Sequence, residues 1–310
     1  MTANILFAAT ANRWAEYETP LSEALREAGV AFDLRTDFPP DEVDYIVYAP
    51  NSEVQDFKPY TRLKAVLNLW AGVEDVVFNP TLSVPLARMV DHGLTQGMVE
   101  WVTGHVLRHH LGMDAHILGQ DGQWRTEVPP LAQDRRVTIL GLGELGRACA
   151  DSLARLGFPV SGWSRSAKSL PDVTTYHGDD GLAEALSRAD ILVLLLPDTP
   201  DTTDLVNADR LAQMPEGAVL INPGRGTLID DTALIEALDS GRLGHATLDV
   251  FRTEPLLPVH PFWAHPKVTV TPHIASATRA DSASRVIAEN VRRGEAGEPL
   301  LHLVNRDLGY

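Results

Sequence analysis

Short apolar runs, separated by amphipathic or polar stretches, recur along most of the chain. "NILFA" leads into an amphipathic stretch from Trp14 to Ala28, and "AFDLR", "VDYIVYA" and "LKAVLNL" follow as further strand candidates. Runs of this length read as strands, and their alternation with helical segments predicts parallel sheets covered by helices. A long helical stretch from Gly97 to Leu118 and the Gly- and Pro-containing loop "GQDGQWRTEVPPLAQD" then interrupt the pattern and mark an internal boundary. The alternation restarts with "VTILGLGELG", a helix through Leu156, "FPVSGWSR", a helix near Leu182 to Ser187, "DILVLLLP" and "GAVLINPGRG". A helix from Asp231 to Ser240, "HATLDVF" and "KVTVTPH" complete it, and a last helix from about Arg279 to Arg292 leads to a polar tail ending at Tyr310. The second block therefore offers six strand-like runs, as a doubly wound nucleotide-binding domain requires. The fold class expected is α/β, with two Rossmann-like or flavodoxin-like parallel-sheet domains.

Composition narrows the partners. The 310 residues suit two domains better than one core. A formal charge of −16 offers phosphate backbones and anionic membranes no clustered cations, which argues against nucleic acid and membrane surfaces. The same charge requires any small anionic substrate to be met by locally concentrated positive charge. One cysteine, Cys149, excludes an internal disulfide framework and fits a reducing compartment. "ANILFAATA" lacks the preceding basic residue of a signal peptide, and no run approaches a membrane span. A cytoplasmic location is expected.

The "GLGELG" stretch follows the apolar run "RRVTIL" and opens a helix, the setting in which G-x-G-x-x-G denotes dinucleotide binding. Gly141 serves the tight turn, Gly143 the approach of a pyrophosphate and Gly146 helix–strand packing, while Glu144 and Leu145 begin the anion-facing helix. Further along, where an NAD-specific site presents a carboxylate to the ribose, the chain reads "GWSRSAK", with Ser164, Arg165, Ser166 and Lys168 and no acid. Arginine in place of the acid favours NADP over NAD.

Three strand ends then deliver reactive groups to the carboxyl edge of this sheet. "VLINPGRGTL" sets Arg225 between two glycines, "LDVFRTEPL" supplies Glu254, and "VTVTPHIAS" supplies His273. A guanidinium can clasp a carboxylate and a neighbouring carbonyl together. A carboxylate beside an imidazole favours the protonated ring and so a proton donor. His105 and His109, four residues apart, raise a zinc alternative; no adjacent Glu completes a hydrolytic motif, and no metal is expected.

With these motifs in order along nearly the whole chain, together with "WAGVED", "LLPDTPDT" and the terminal "GY", the sequence resembles the D-isomer-specific 2-hydroxyacid dehydrogenases. The resemblance implies NADPH-dependent reduction of small 2-oxo acids, glyoxylate and hydroxypyruvate foremost. Arg225 would bind the 2-oxo acid and polarise its carbonyl, His273 would give the proton, and Glu254 would orient His273. Backbone N–H groups of Ala71, Gly72 and Val73 would take the substrate carboxylate. Asp249 would hold the nicotinamide carboxamide, with Leu196, Pro197 and Thr202 on the adenosine side and Pro223 also at the cofactor. A discontinuous substrate domain (1–98 plus 276–310) and a dinucleotide domain (99–275) are implied, with a cleft between them that closes on hinges near Gly97 to Trp101 and after His273. The helix after Gly97 would form a homodimer contact. Two departures stand out. Pro223 and Gly224 occupy places where the family often has a small non-proline residue, and "YAPNSEV" from Tyr48 falls where substrate-shaping residues are expected. Formate dehydrogenase shares the architecture but needs no Glu–His acid pair, and phosphoglycerate dehydrogenase often carries a further regulatory domain. Another 2-oxo acid specificity and a dinucleotide-sensing binding protein remain the alternatives, the latter separable by turnover.

Overall fold

The computed structural model describes residues 2–310. The chain forms two compact units, one combining the segment up to Leu94 with Ala277–Tyr310, the other spanning Thr95–Ser276.

The first unit holds β1 (Ala3–Ala8), α1 (Ala11–Glu27), β2 (Phe32–Arg35), β3 (Tyr45–Tyr48), β4 (Ala65–Asn68), α2 (Glu74–Val77), β5 (Leu86–Ala87) and the last helix, α9 (Ala280–Ala296). Its sheet is parallel, in the order β2-β1-β3-β4-β5. Every residue of β3 and β4 is buried, which is why these strands read as unbroken apolar runs rather than as alternating ones. Helix α1 lays Tyr17, Leu21, Ala24 and Leu25 into the same core that α9 reaches with Ala283, Ile287, Ala288 and Val291. That i, i+4 spacing makes the returning helix part of this unit.

The second unit opens with α3 (His92–His110), which bridges the chain boundary, and α4 (Met113–Ile117). Then follow β6 (Val137–Leu140), α5 (Glu144–Arg155), β7 (Val160–Ser164), β8 (Val173–His177), α6 (Gly178–Ser187), β9 (Ile191–Leu194) and α7 (Ala208–Leu211). β10 (Ala218–Asn222), α8 (Asp231–Asp239), β11 (Leu243–Leu248) and β12 (Val268–Val270) complete it. The strands pair in parallel in the order β12-β11-β10-β9-β6-β7-β8. Chain direction reverses across β6, whose neighbours are β7 and β9, so the switch point of this sheet lies at the Gly-rich turn. Apolar clusters cover both faces.

The sheet has seven strands where the sequence suggested six: "VTTYH" forms β8 at the edge. An edge strand needs no continuous apolar run, so nothing in its pattern announced it. The long helix predicted from Gly97 to Leu118 begins earlier and breaks after His110, with Gly112 left-handed at φ 62° before α4 resumes. Cys149 is buried on α5, where desolvation pushes its thiol up to about 12 and leaves it unreactive. No helix among the described residues is long and apolar enough to cross a membrane.

Candidate active site

The Gly-rich turn runs from β6 into α5 with Gly141 at φ 104°. A Cβ on Gly146 would lie 1.8 Å from the Gly141 carbonyl oxygen, so helix and turn can meet this closely only with hydrogen at that position. Gly143 caps α5 without any side-chain hydrogen bond, and a Cβ built there meets nothing within 4 Å. Open space thus faces a helix start whose first N–H groups have no capping partner, a combination that fits a pyrophosphate. Glu144 is exposed and Leu145 half-buried beside it.

Beyond β7, the Ser164 hydroxyl donates to the Ser166 carbonyl at 2.8 Å, closing a small turn that leaves Arg165 and Ser166 exposed. Arg165 lies 3.7 Å from Asp201, and Lys168 Nζ donates to the Leu142 carbonyl inside the Gly-rich turn at 2.7 Å. The basic loop and the glycine turn are therefore held together, and no acid occupies the end of β7. On the other side, Leu196 is packed into the core. The Thr202 hydroxyl donates to the Pro197 carbonyl at 2.7 Å and accepts from Thr199 N–H at 2.9 Å, so it shapes its own loop.

Arg225 follows β10 on a buried turn containing Pro223 and Gly224. Asn222, fully buried at the strand end, spends both amide atoms there: Nδ2 donates to the Arg225 carbonyl at 2.8 Å and Oδ1 accepts from Gly224 N–H at 3.1 Å. After Arg225 the backbone presses on the loop that follows β11. A Cβ on Gly226 would sit 1.9 Å from the Phe251 carbonyl carbon. In that loop Glu254 Oε1 accepts from Phe251 N–H at 2.9 Å, and Oε2 meets His273 Nδ1 at 2.6 Å. His273 keeps half its side-chain surface exposed (52%). With Nδ1 committed to Glu254, Nε2 is the ring nitrogen left for chemistry.

His273 sits at φ 53°, a left-handed conformation that few side chains adopt. The turn is built around Asp249, which is fully buried. Its Oδ1 accepts from the Thr271 hydroxyl (2.6 Å) and Ile274 N–H (2.9 Å), its Oδ2 accepts from Ala275 N–H (2.8 Å), and its carbonyl accepts from His273 N–H (2.8 Å). Expected at the nicotinamide carboxamide, the Asp249 carboxylate already serves three donors of the chain and organises the His273 turn. Sequence reasoning missed this arrangement, as it missed Asn222, because the bonds of Asp249 reach residues more than twenty positions away.

In the first unit, Ala71, Gly72 and Val73 follow β4. None of their N–H groups finds an acceptor among the described residues, whereas the carbonyls of Trp70, Gly72 and Val73 are all engaged. Donors left open on a turn most of whose acceptors are filled suit an anion.

The helix histidines take another course. The His105 ring lies tilted against Trp101 with 4.2 Å between ring centroids, and His109 Nε2 lies 2.8 Å from the Thr247 hydroxyl, its ring packed against His245. No group of three or more His, Cys, Asp or Glu side chains that could hold a metal occurs among the described residues.

Residues 103–275 match the family model described as "D-isomer specific 2-hydroxyacid dehydrogenase, NAD binding domain". The chain is 38% identical to glyoxylate/hydroxypyruvate reductase A of Serratia proteamaculans, over 95% of this chain and 96% of that one. Among solved structures, a D-isomer specific 2-hydroxyacid dehydrogenase from Xanthobacter autotrophicus Py2 in complex with NADPH and MES superposes with a TM-score of 0.92, at 39% identity and with complete coverage of both chains. The NADPH-dependent glyoxylate/hydroxypyruvate reductase of Sinorhizobium meliloti, in complex with NADP and sulfate, gives 0.87 at 36% identity, again over both whole chains.

Proposed function

The chain belongs to the D-isomer specific 2-hydroxyacid dehydrogenases, and from that premise we propose that glyoxylate and hydroxypyruvate are its substrates, reduced to glycolate and glycerate. NAD(P)H-dependent reduction of a 2-oxo acid is its reaction, with NADPH as the cofactor. The substrates are supported by the 38% identity, over 95% of this chain, to a glyoxylate/hydroxypyruvate reductase A, and the proton transfer by the 2.6 Å contact between His273 and Glu254, one strand end away from Arg225.

The reduced nicotinamide supplies the hydride when bound. Arg225 binds the 2-oxo acid through its carboxylate and carbonyl oxygens and stabilises negative charge growing on the carbonyl oxygen. His273, held through Nδ1 by Glu254, passes the proton on Nε2 to that oxygen. Glu254 offsets the charge of the imidazolium before transfer and fixes the ring plane. The turn Ala71–Val73 binds the carboxylate with open N–H groups, and the Gly-rich turn with Arg165 binds the pyrophosphate and 2′-phosphate.

Arg225→Ala tests the assignment. Reduction of glyoxylate should fall by about 10²-fold or more in kcat/KM, with NADPH affinity, read by fluorescence titration, within about twofold of wild type. Equal loss of both would refute the role given to Arg225.

A homodimer formed through α3 and its continuation belongs to the same reading, supported by the exposed apolar side chains Ile117, Leu118, Trp124, Val128 and Leu131 beyond α3. Sedimentation as a monomer at micromolar concentration would remove it. A cytoplasmic location is likewise proposed, supported by the single, buried Cys149; fractionation of cells checks it.

A further inference from the structure

Asn68 ends β4 and is 1% exposed. The other residues of that strand, Ala65, Val66 and Leu67, are apolar and buried, so a carboxamide here is the exception. The carboxamide instead donates through Nδ2 to two carbonyls of the following turn, Trp70 O at 3.0 Å and Gly72 O at 2.8 Å. Its Oδ1 is buried with no hydrogen-bond partner, and a buried acceptor without a donor is a standing cost. The amide orientation follows from chemistry, because turning it over would set Oδ1 against two carbonyl oxygens.

Peptide planarity converts that grip into a direction. In a trans peptide the C=O and N–H point to opposite sides. The Trp70 carbonyl shares its peptide with Ala71 N–H, and the Gly72 carbonyl shares its peptide with Val73 N–H. Drawing both carbonyls toward Asn68 therefore aims both N–H groups away from it, and neither has an acceptor among the described residues. The turn is pinned at its entry as well: the Thr278 hydroxyl donates to Leu69 O at 3.0 Å, and Met89 N–H donates to Trp70 O at 3.0 Å.

We infer that Asn68 is a positioning residue for substrate binding, whose two hydrogen bonds hold Ala71 N–H and Val73 N–H aligned on the carboxylate of the 2-oxo acid. The inference rests on the reading of Ala71–Val73 as the carboxylate site. Asn222 performs a related task at the end of β10, with the difference that both of its amide atoms are used within the turn.

The test uses the full-length enzyme with NADPH and two substrates, glyoxylate and the neutral aldehyde glycolaldehyde. Asn68→Leu keeps the branched shape of the side chain and removes the donors. Its KM for glyoxylate should rise by about tenfold or more, with KM for glycolaldehyde and for NADPH within about twofold of wild type. A second variant, Asn68→Asp, gives a pH signature that packing alone would not. Its carboxylate repels the two carbonyls, whereas the protonated acid can donate to one. Burial against two carbonyl oxygens raises that carboxyl above the ordinary carboxylate range, so its KM for glyoxylate relative to wild type should be higher near about pH 8 than near about pH 6. An unchanged KM in folded Asn68→Leu overturns the inference, as does an equal rise for glyoxylate and glycolaldehyde. Should Asn68→Leu fail to fold, a KM for glyoxylate in Asn68→Asp equal to that of wild type at both pH values overturns it. Wild-type enzyme that reduces glycolaldehyde as readily as glyoxylate would instead overturn the carboxylate turn itself, a result visible before any variant is made.

Discussion

Acidification should loosen the second unit through one pair of histidines on its β11–α3 flank. His109 is pushed down to about 3, first by burial and then by His245 and Arg108; His245 is pushed down to about 4, by burial and then by Arg108. The rings lie tilted against one another with centroids 4.9 Å apart, each with a threonine hydroxyl at its Nε2, Thr247 for His109 and Thr269 for His245. Arg108 faces the pair while bonded to Asp114 and Thr269, so a proton arriving on either ring meets a cation. Both histidines are more acidic folded than unfolded. Their contribution is therefore complete above the unfolded value near 6.5 and is lost as pH falls toward the folded values. For each ring, linkage from 6.5 to the folded value gives about 2 kcal/mol lost at pH 5. Partial exposure of His245 screens its share, leaving an expected combined loss of about 2–3 kcal/mol between pH 7 and pH 5. His109→Gln keeps a group able to bond Thr247 and removes one titrating ring, so it should lose about half as much over the same interval. Urea titrations read by hydrogen-exchange mass spectrometry of peptides from α3 and β11 isolate this unit. Parallel losses in wild type and variant would refute the reasoning, because the missing ring would then have carried no linkage.

The active site yields three further expectations. Gly226→Ala places a methyl group on the Phe251–Arg252 backbone, which cannot yield as a side-chain tip would. Its kcat/KM for glyoxylate should fall by about 10²-fold or more, with loss of about 2–3 kcal/mol of stability by denaturant titration. Near-wild-type kinetics would mean that the two loops separate easily. Glu254→Gln should lower the rate of glyoxylate reduction by about 10²-fold or more, since the ring loses its counter-charge and the contact that fixes its orientation; stopped-flow rates decide, and a rate within about twofold of wild type rejects the pairing role. Arg165→Ala should reduce the preference for NADPH over NADH by about tenfold or more in kcat/KM while leaving NADH kinetics near wild type. An unchanged ratio would locate the discrimination elsewhere, with Lys168 the first residue to examine.

Much of the fold was legible because buried parallel strands cannot hide. "DYIVYA", "DILVLLLP" and "AVLIN" are apolar on both faces of a covered sheet, and between them lie stretches with helical spacing. Elements governed by other forces were not legible. β8 lies at an edge and is only partly buried, β5 is two residues long, and the break between α3 and α4 depends on the conformation of Gly112. The three strand-end groups could be proposed from sequence because chemistry restricts which residue types can serve. The residues that hold them could not. Asn68 and Asn222 look like ordinary strand-end asparagines until their bonds are traced, Asp249 is tied to Ala275 across 26 positions, and the need for Gly226 arises from a backbone 25 residues away in the chain.

Those holding contacts explain how Arg225, Glu254 and His273 can sit on loops and still be placed as firmly as a sheet. The ladder does not stop where the strands end: Asp249 N–H donates to Asn222 O at 3.0 Å, Thr271 N–H to Leu248 O at 2.9 Å and His273 N–H to Asp249 O at 2.8 Å. The stem of each loop is thus an extension of β10, β11 or β12 by one or two rungs. Because the three strands are parallel, all three extensions leave the same edge. Gly226 then lets the first loop rest on the second, and the Glu254 carboxylate joins the second to the third. A left-handed histidine is tolerable in such a frame, since its turn is fixed by four hydrogen bonds to Asp249 and cannot relax alone. Disturbing any one loop must disturb the others. Substitutions at Gly226 and Glu254 should accordingly combine less than additively in the rate of reduction, as expected of groups that act as one unit.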